Sequence, residues 1–300
     1  MGATWLGKKH SGVTKLLAEL EIGIFEQALG NKAIYEPIST SPPQLVTLPP
    51  NEEPSFRIQG GSDQIINALS NHLDSKNIYL NQPVLAIAKK DNVLAVSSKT
   101  HIFNSEFVVS TLPPLLLAEK LSITPGLPQE LLNISNQTHT WMGDSIKVGL
   151  TFKEPFWKTE KSSGTIFSNV GPIPEMYDHS NYENNLFGLK GFFNGAYFSI
   201  SKEERLEMVL QQLEKYYGPK VKDYVNYEEV VWRNEKYTFS PYPQHILPHQ
   251  NNGHPIFRNA QLDGKLFIGG SETAKNYPGY MDGAIISAKF IFEQLIKHYA

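Results

Sequence analysis

The chain has 300 residues, a formal net charge of −3, and ordinary shares of hydrophobic (40%) and charged (19%) residues. This balance predicts one large folded domain, or two interleaved ones, with a sizeable core, and it offers no basic surface for nucleic acid. The absence of cysteine excludes disulfides, thiolate metal sites and a cysteine nucleophile. No apolar run approaches the roughly 18 residues of a membrane span and no signal peptide is evident. We therefore expect a cytoplasmic protein with no membrane partner.

The first half of the chain reads as short strands around four helices. Between residues 30 and 54 it is rich in proline, which predicts a connector with one short hairpin at Asn31 and Lys32. Ser62 follows a glycine pair and is suited to cap a helix. In chain order, the patterns predict a helix over 10–21, strands over 22–25 and 56–58, a helix over 62–73, strands over 78–80, 84–89, 93–97, 101–104 and 107–110, a helix starting at 111–114 and a helix over 129–137.

The second half begins with a long alternating segment and ends in a strand, a glycine turn and a helix. Ser201 is placed to cap a strongly amphipathic helix, and the aromatic, proline-rich segment 234–248 is expected to be a loop over a site. In chain order, the patterns predict strands over 144–152, 164–168, 185–193 and 196–200, a helix over 202–217, strands over 226–232 and 266–268, and a helix over 279–298.

The last strand–turn–helix segment is the clearest candidate site. A strand followed by Gly269 and Gly270, and then by a helix N-terminus, brings backbone N–H groups up to an anion or to a polar ring edge. Tyr277 and Tyr280 stand just before that helix. Metal and hydrolase sites are not indicated, because His245 and His249 lie in a proline-containing loop and no Gly-x-Ser-x-Gly elbow occurs.

Several segments, in the same order along the chain, resemble the flavin-containing amine oxidase family, which includes the monoamine and polyamine oxidases. They are GATWLG (2–7), FRIQGGSDQIINAL (56–69), the Ile146–Lys147 strand with its following EPFW turn (154–157), and the tail FIGGSETAKNYPGYMDGAIISA (267–288). The resemblance implies an α/β (mixed α+β) fold in which an FAD-binding Rossmann-like domain is interleaved with a mixed-sheet substrate domain. It places FAD binding in residues 1–25, 56–137 and 233–300, and substrate binding in residues 26–55 and 138–232.

The family's glycine-rich G-x-G-x-x-G unit does not occur in these 300 residues, so the Rossmann-like domain is expected to be incomplete. We interpret this as a truncated reading frame or an incomplete protein. The resemblance implies oxidation of a small-molecule amine, with a hydride equivalent passing from the α-carbon to flavin N5 and oxygen giving imine and hydrogen peroxide. Two alternatives stay open: a non-catalytic fragment or scaffold without stable FAD binding, and a flavin-dependent desaturase. The desaturases generally lack the strand lysine. An oligomeric state is compatible with each of these functions.

The resemblance also assigns roles to individual residues. Lys147 assists at flavin N5 and in oxygen chemistry, whereas composition alone favours a solvent-facing lysine. Tyr242 and Tyr280 flank the substrate amine, with Tyr277 as an alternative and simple packing as the plain reading. The residues expected to contact the cofactor are Gly2, Ala3, Thr4, Val84, Trp232, Gly270, Ser271, Glu272, Thr273 and Met281. Pro241 stands where some relatives have a flavin-bonding cysteine, so FAD is expected to be non-covalent, and no metal is expected.

Overall fold

The computed structural model describes residues 2–159 and 162–298, and within them the chain forms sixteen strands and six α-helices. The strands are β1 (Leu6–Gly7), β2 (Ile24–Glu26), β3 (Lys32–Glu36), β4 (Gln44–Thr47), β5 (Ser55–Ile58), β6 (Ala86–Lys90), β7 (Val93–Ser97), β8 (Ile102–Ser105), β9 (Val108–Ser110), β10 (Ser122–Thr124), β11 (Ile146–Phe152), β12 (Ser162–Ser168), β13 (Glu175–Asp178), β14 (Phe187–Phe193), β15 (Asn226–Val231) and β16 (Leu266–Ile268). The helices are α1 (Ser11–Glu19), α2 (Asp63–Asn71), α3 (Pro114–Lys120), α4 (Gln129–Asn136), α5 (Lys202–Tyr217) and α6 (Met281–Ile296).

The chain divides into two compact units whose segments alternate along the sequence. The first unit comprises Met1–Lys9, Glu21–Ile66 and Asp144–Arg233, and the second comprises His10–Leu20, Asn67–Gly143 and Asn234–Ala300. This alternation agrees with the predicted interleaving, and the mixture of strands and helices confirms the predicted α/β (mixed α+β) class. The predicted division had put 21–25 and 56–66 with the FAD-binding segments. In the structure β1, β5 and β2 form one antiparallel sheet, which keeps these segments in the first unit. Which ligand each unit holds stays a prediction.

A seven-stranded sheet organises the first unit, in the order β15-β11-β14-β13-β12-β3-β4. Its pairs are antiparallel except for β12 and β3. One face is apolar and packs on α5, whose Val209 and Leu213 join the largest buried cluster of this unit. Ser201 caps α5 as predicted, because its hydroxyl accepts from the Glu204 N–H while the Glu204 carboxylate accepts from the Ser201 N–H.

The second unit contains two smaller sheets and most of the helices. One sheet has the order β10-β6-β7-β8, and the other is a parallel pair of β9 and β16. Leu117, Leu131, Phe257 and Ile268 form a buried cluster that holds α3 and α4 near β16. Helices α1 and α6 are joined by a hydrogen bond of 2.7 Å from the Val13 N–H to the Asp282 carboxylate. Among the described helices, none combines the length and the apolar character that a membrane span requires.

Three local predictions are wrong for identifiable reasons. Residues 78–80 form no strand, because the left-handed Asn81 and the following Pro83 turn the chain. Residues 196–200 lie in a 3-10 turn (Gly195–Ser199), since the Asn194 side chain accepts from the Ala196 N–H and caps it. The hairpin predicted at Asn31 and Lys32 is made by β3 and β4, and its turn lies over residues 37–43. Sequence analysis also missed β10 and β13, which are short.

Candidate active site

Lys147 lies in the middle of β11, between buried neighbours, and is itself buried at 6% exposure. Its ammonium donates to the Gly2 carbonyl at 3.0 Å and lies 5.5 Å from the Phe192 ring centroid. Burial lowers the pKa of Lys147 to about 8, since water no longer solvates the charged form. The solvent-facing alternative is therefore wrong, whereas the role implied by the resemblance is not decided by burial alone.

The loop over residues 2–5 brings two of the predicted cofactor contacts to lysines of the same sheet. Gly2 accepts from Lys147, and the Thr4 hydroxyl accepts from Lys190 of β14. Ala3, between them, is exposed. The predicted residues Gly2, Thr4 and Lys147 are thus close together in the first unit.

Trp232 begins a short 3-10 turn just after β15. It lies two residues beyond Val230, which pairs with Lys147 across the β11–β15 ladder. Its backbone N–H donates to the Ser145 carbonyl at 3.0 Å. The indole Nε1 is buried and has no hydrogen-bond partner among the described residues. A buried donor without an acceptor is costly, so this N–H is a candidate for a ligand contact.

The tail turn follows β16 in the second unit and consists of Gly270, Ser271, Glu272 and Thr273. Gly270 has φ +115°, a conformation that side chains rarely adopt, and it starts a 3-10 turn over Ser271–Thr273. Thr273 ties this turn together, because its hydroxyl donates to the Gly270 carbonyl at 2.9 Å and lies 2.8 Å from the Ser287 hydroxyl. Glu272 is buried with the Ser271 hydroxyl at 3.0 Å, and burial raises its pKa.

Helix α6 begins directly after Tyr280, so Met281 is its first residue. The first-turn N–H groups of a helix have no acceptor within the helix, and here they stand at the predicted flavin contact. Asp282 is fully buried: one oxygen accepts from Val13, and the other has no partner among the described residues. Gly283 is required for packing, since a Cβ there would lie 2.2 Å from the Tyr277 carbonyl oxygen.

Tyr242 and Tyr280 both belong to an aromatic cluster with His139, Trp141 and His249. The His139 ring stacks on Tyr242 at 6.1 Å, and the His249 ring stacks on Trp141 at 4.2 Å and on Tyr280 at 6.2 Å. The two histidines lie 6.3 Å apart and link the tyrosines. The Tyr242 hydroxyl accepts from the Thr140 N–H at 2.9 Å, which fixes the ring.

Three members of this aromatic cluster were missed by sequence analysis. His139 accepts at Nδ1 from the His249 backbone N–H, at 3.1 Å. Burial, and then the nearby His249, lower the pKa of His139, which favours the neutral ring. The aromatic run from 139 to 141 was the available signal, but the contacts to His249 and Tyr280 join segments more than 100 residues apart. Tyr277 lies outside the contacts just described and packs against His10, with ring centroids 5.1 Å apart.

Val84 precedes β6 and lines a cavity of about 1020 Å³ within the second unit. The cavity wall is largely apolar and also includes Ser110 and Thr111, at the carboxyl end of β9. Pockets of roughly 300–1,000 Å³ are typical of small-molecule sites. Among the residues that the structure describes, no group of three or more His, Asp or Glu side chains is arranged to hold a metal ion.

The sequence model of a family described as flavin-containing amine oxidoreductase matches residues 38–290, which is most of the chain. This chain belongs to the flavin-containing amine oxidoreductase family. This membership confirms the resemblance stated above. The chain is thus related to oxidoreductases that use a flavin as their cofactor.

Curated relatives agree with this membership. The Dictyostelium discoideum protein named "Probable flavin-containing monoamine oxidase A" is 29% identical, covering 77% of this chain and 51% of its own length. The Homo sapiens flavin-containing amine oxidase B is 28% identical, covering 75% of this chain and 44% of its own length. The chain thus spans about half the length of the curated relatives it matches.

Solved structures share the fold. Putrescine oxidase bound to putrescine aligns with a TM-score of 0.82 at 19% identity, covering 100% of this chain and 88% of that chain. Cyclohexylamine oxidase from Brevibacterium oxydans IH-35A aligns with a TM-score of 0.83 at 15% identity, with the same coverage. At these identities the likeness establishes the fold alone.

The residues present fit a flavin in several separate respects. The unpartnered Trp232 N–H and the first-turn N–H groups of α6 are donors that suit ring carbonyls. Gly270 has no side chain, so the space that a Cβ would fill beside Glu272 and Thr111 is open to a ligand. The largely apolar cavity at Val84 is large enough for a nucleoside.

Proposed function

We propose that this chain carries out FAD-dependent oxidation of a small-molecule amine, with oxygen as the second substrate. The observation that carries the proposal is the match of the family over residues 38–290 together with a buried strand lysine, Lys147, in the matched segment. The relatives and structural neighbours are named as oxidases of amines. The flavin, when bound, would supply the acceptor for a hydride (two electrons and one proton) from the amine carbon, and oxygen would take up the two electrons and two protons as hydrogen peroxide.

In this proposal FAD is held without a covalent bond. Pro241 precedes Tyr242, and the chain has no cysteine to attach the ring. Gly270, Ser271 and the backbone of Glu272 form the turn that approaches the cofactor, and Met281 offers a first-turn N–H of α6. Thr273 acts by holding the turn in shape, because both its hydroxyl and its N–H already bond to Gly270.

The remaining predicted contacts act through the loop over residues 2–4, Trp232 and Val84. Gly2 and Thr4 accept from lysines, so their part is to fix those ammonium groups, while the exposed Ala3 offers only its small surface. Trp232 offers its unpartnered indole N–H. Val84 offers an apolar wall of the cavity in the second unit.

Tyr242 and Tyr280 present aromatic faces to the amine. A ring face attracts an amine nitrogen through its quadrupole, and two rigid faces restrict the orientation of the carbon that is oxidised. The aromatic cluster holds both rings, since His139 and His249 stack on them. The lowered pKa of His139 disfavours a competing positive charge on that ring beside the amine.

Lys147 supplies a buried positive charge, and its lowered pKa makes the ammonium easier to deprotonate than an exposed lysine. With a pKa near 8, the ammonium is largely protonated at neutral pH and can release its proton at modest cost. A charge of this kind in a desolvated place stabilises negative charge that develops on oxygen during reoxidation. The bond to the Gly2 carbonyl holds the ammonium in position.

The proposal is tested by purifying the chain with FAD, reducing it with an amine without oxygen, and following reoxidation by stopped-flow absorbance. Lys147→Met is expected to slow reoxidation at least tenfold, whereas Lys153→Met, an exposed lysine just beyond the same strand, is the matched control. Unchanged reoxidation in Lys147→Met contradicts the role given to Lys147. No reduction by any amine contradicts the proposed function itself.

A second candidate is a partner-binding scaffold without stable FAD binding. The observation that favours it is the exposure of apolar side chains along the cavity of the second unit, including Leu80, Leu85 and Val109, the last on a strand of the two-stranded sheet. Exposed apolar surface beside a short sheet edge is typical of an interaction site. Gel filtration with and without FAD separates the two candidates, because the scaffold is expected to self-associate or aggregate in both conditions.

A further inference from the structure

Two lysines and three aromatic side chains share one face of the seven-stranded sheet, which we call the lysine face. Lys147 pairs with Phe192, and Lys190 pairs with Tyr177, so these four side chains lie on the same side of the ladder. Trp5 packs on this face, 5.0 Å from the Tyr177 ring and 5.8 Å from the Phe192 ring. The flanking residues of β14 point the other way, into the apolar core of the unit.

The lysine face buries two lysines that make no ion pair with a described carboxylate, although Glu175, opposite Phe192, lies on the same side of the ladder. Lys190 is 3% exposed and Lys147 is 6% exposed, and their hydrogen-bond acceptors are the neutral Thr4 hydroxyl and Gly2 carbonyl. In the described part of the chain, no carboxylate lies within 4.0 Å of either ammonium. An ammonium has three N–H donors, so each lysine has donors left over. Buried charges are normally paired, which makes this arrangement unusual for a structural core.

A third buried cation, Arg57, adjoins the lysine face. It is 7% exposed, donates to the Ser180 carbonyl at 2.6 Å and lies 3.1 Å from His179 Nδ1. Its Nε is buried and has no partner among the described residues. His179 is neutral, because burial, and then the charges of Lys190 and Arg57, lower its pKa to about 3.

The nearest acidic side chains do not compensate these cations. Asp178 attracts Arg57, but its carboxylate is occupied by the Trp157 indole at 2.9 Å and by the Ser180 hydroxyl at 2.8 Å. Glu175 accepts from the Tyr177 hydroxyl at 2.7 Å and makes no ion pair among the described residues. Lys147, Lys190 and Arg57 therefore stand against two engaged carboxylates, of which Asp178 also pairs with Lys158 at 3.4 Å, and the surplus charge is positive.

We propose that the lysine face binds an anionic group, and that this group is a carboxylate carried by the amine substrate. The proposal rests on the proposed function and deepens it by naming a substrate class, amines that bear an acid group. The flanking rings of Trp5, Tyr177 and Phe192 suit an aromatic or aliphatic acid. Phosphate is less well matched, because the backbone N–H groups that usually cradle it are used here in the strand ladders. Diamines are disfavoured, since their second charge is repelled by Lys190.

The first test is a binding measurement that needs no flavin. Isothermal titration calorimetry measures the affinity of the purified chain for phenylacetate and for its neutral analogue phenylacetamide. Inorganic phosphate and FAD are then added as competitors of phenylacetate. Wild type is expected to bind phenylacetate at least tenfold more tightly than phenylacetamide. Lys190→Met is expected to lose this preference, Lys190→Arg to keep most of it, and the exposed control Lys153→Met to keep all of it.

Three outcomes overturn the proposal. They are equal binding of acid and amide by wild type, an unchanged preference in a Lys190→Met protein whose circular dichroism is that of wild type, and stoichiometric displacement of phenylacetate by millimolar phosphate or by FAD. Displacement of phenylacetate would indicate that the lysines bind a phosphate group instead of a carboxylate. If Lys190→Met does not fold, Lys190→Gln is titrated in its place and read by the same criteria.

The second test separates this inference from the proposed function. Flavin reduction by phenylalanine is compared with reduction by phenethylamine, which lacks the carboxylate. The acid-bearing amine is expected to be preferred, and Lys190→Met is expected to lower that preference at least tenfold. Oxidation of phenethylamine with rejection of phenylalanine leaves the proposed function standing and contradicts the inference. Failure to oxidise either amine contradicts the proposed function, while the titration still decides whether the lysine face binds a carboxylate.

Discussion

Two buried lysines of the first unit and two buried carboxylates of the second unit are satisfied differently. In the first unit the cations Lys147 and Lys190 lie on one sheet face with only neutral acceptors. In the second unit the carboxylates Glu272 and Asp282 lie beside the tail turn and α6, and their contacts are the Ser271 hydroxyl and the Val13 N–H. The carboxylates thus take part in building the turn and in joining two helices, whereas the lysines contact Gly2 and Thr4 and make no ion pair with a described carboxylate.

This difference separates structure from function within one molecule. A buried charge that organises backbone has a structural explanation, and the tail turn of the second unit fits that description. A buried cation with no carboxylate beside it persists only at a cost to stability, and such groups are characteristic of sites that bind or react. We therefore assign chemistry that needs charge to the lysine face of the first unit, whereas the tail turn of the second unit has a structural explanation.

The first expected effect tests the claim that shape dominates the tail turn. Gly283→Ala puts a Cβ 2.2 Å from the Tyr277 carbonyl oxygen, so the helix start or the loop must shift. We expect a loss of about 3 kcal/mol in the free energy of unfolding, at the upper end for overpacking. Urea unfolding measures it, with Gly126→Ala as control because a Cβ there meets nothing within 4 Å. Equal stability of the two variants contradicts the packing described for α6.

The next effect tests the cost of the buried lysines through pH. The pKa of Lys147 is lowered to about 8 and that of Lys190 to about 7, from 10.5 in the unfolded chain, mainly by burial. Between these values the unfolded chain binds more protons than the folded one. The free energy of unfolding therefore rises with pH from about 7 to about 10, by up to about 1.4 kcal/mol per pH unit for each neutral lysine.

Urea unfolding at pH 7, 8 and 9 measures this slope. The double variant Lys147→Met, Lys190→Met is expected to be more stable at pH 7 and nearly independent of pH in this window. Lys153→Met, which removes an exposed lysine, is expected to keep the wild-type slope. A wild-type stability that is flat or falls from pH 7 to 9 contradicts the burial of these charges.

The sequence predicts the tail turn more completely than it predicts the lysine face. The tail is local: β16, the positive-φ Gly270 and the start of α6 at Met281 follow one another in 16 residues, and glycine and strand patterns are sufficient to predict them. The mixed α/β class and the cap of α5 were predicted for the same reason.

The lysine face depends on contacts that no local pattern contains. Alternation along β11 indicates that Lys147 faces away from its apolar neighbours, but not that Gly2 and the rest of the loop over residues 2–5 cover it. Lys190 was not singled out, because its burial requires Thr4, 186 residues away. The pairing of His139 with Tyr242 is likewise long-range and depends on where the loop after Arg233 folds back.

A smaller effect concerns the hydroxyl that closes the tail turn. Thr273→Val keeps the shape but removes the bonds to the Gly270 carbonyl and the Ser287 hydroxyl. We expect a loss of about 1 kcal/mol in the free energy of unfolding, since the buried Ser287 hydroxyl loses its partner while the Gly270 carbonyl keeps the bond from the Thr273 N–H. Thr273→Ser, which keeps the hydroxyl, is the matched control for thermal unfolding. A Thr273→Val protein as stable as Thr273→Ser removes the structural role that we assign to this residue.

The smallest effect uses a site in the first unit that is remote from the lysine face. Ser201→Ala removes the side-chain half of the capping box of α5. The expected loss is about 1 kcal/mol in the free energy of unfolding, with no change in the pH slope, because no lysine environment changes. Calorimetry at pH 7 and 9 checks both statements. An altered pH slope in this variant means that the slope reports global stability rather than the two lysines.

The central claim is that this chain binds a flavin, and one visible absorbance spectrum tests that claim. The purified chain is mixed with a slight excess of FAD, freed of unbound cofactor by gel filtration, and its visible absorbance is recorded. We predict the visible absorbance of bound flavin at about one cofactor per chain, with the flavin released on denaturation because it is not bound covalently. A colourless protein after saturation with FAD contradicts the central claim and favours the scaffold.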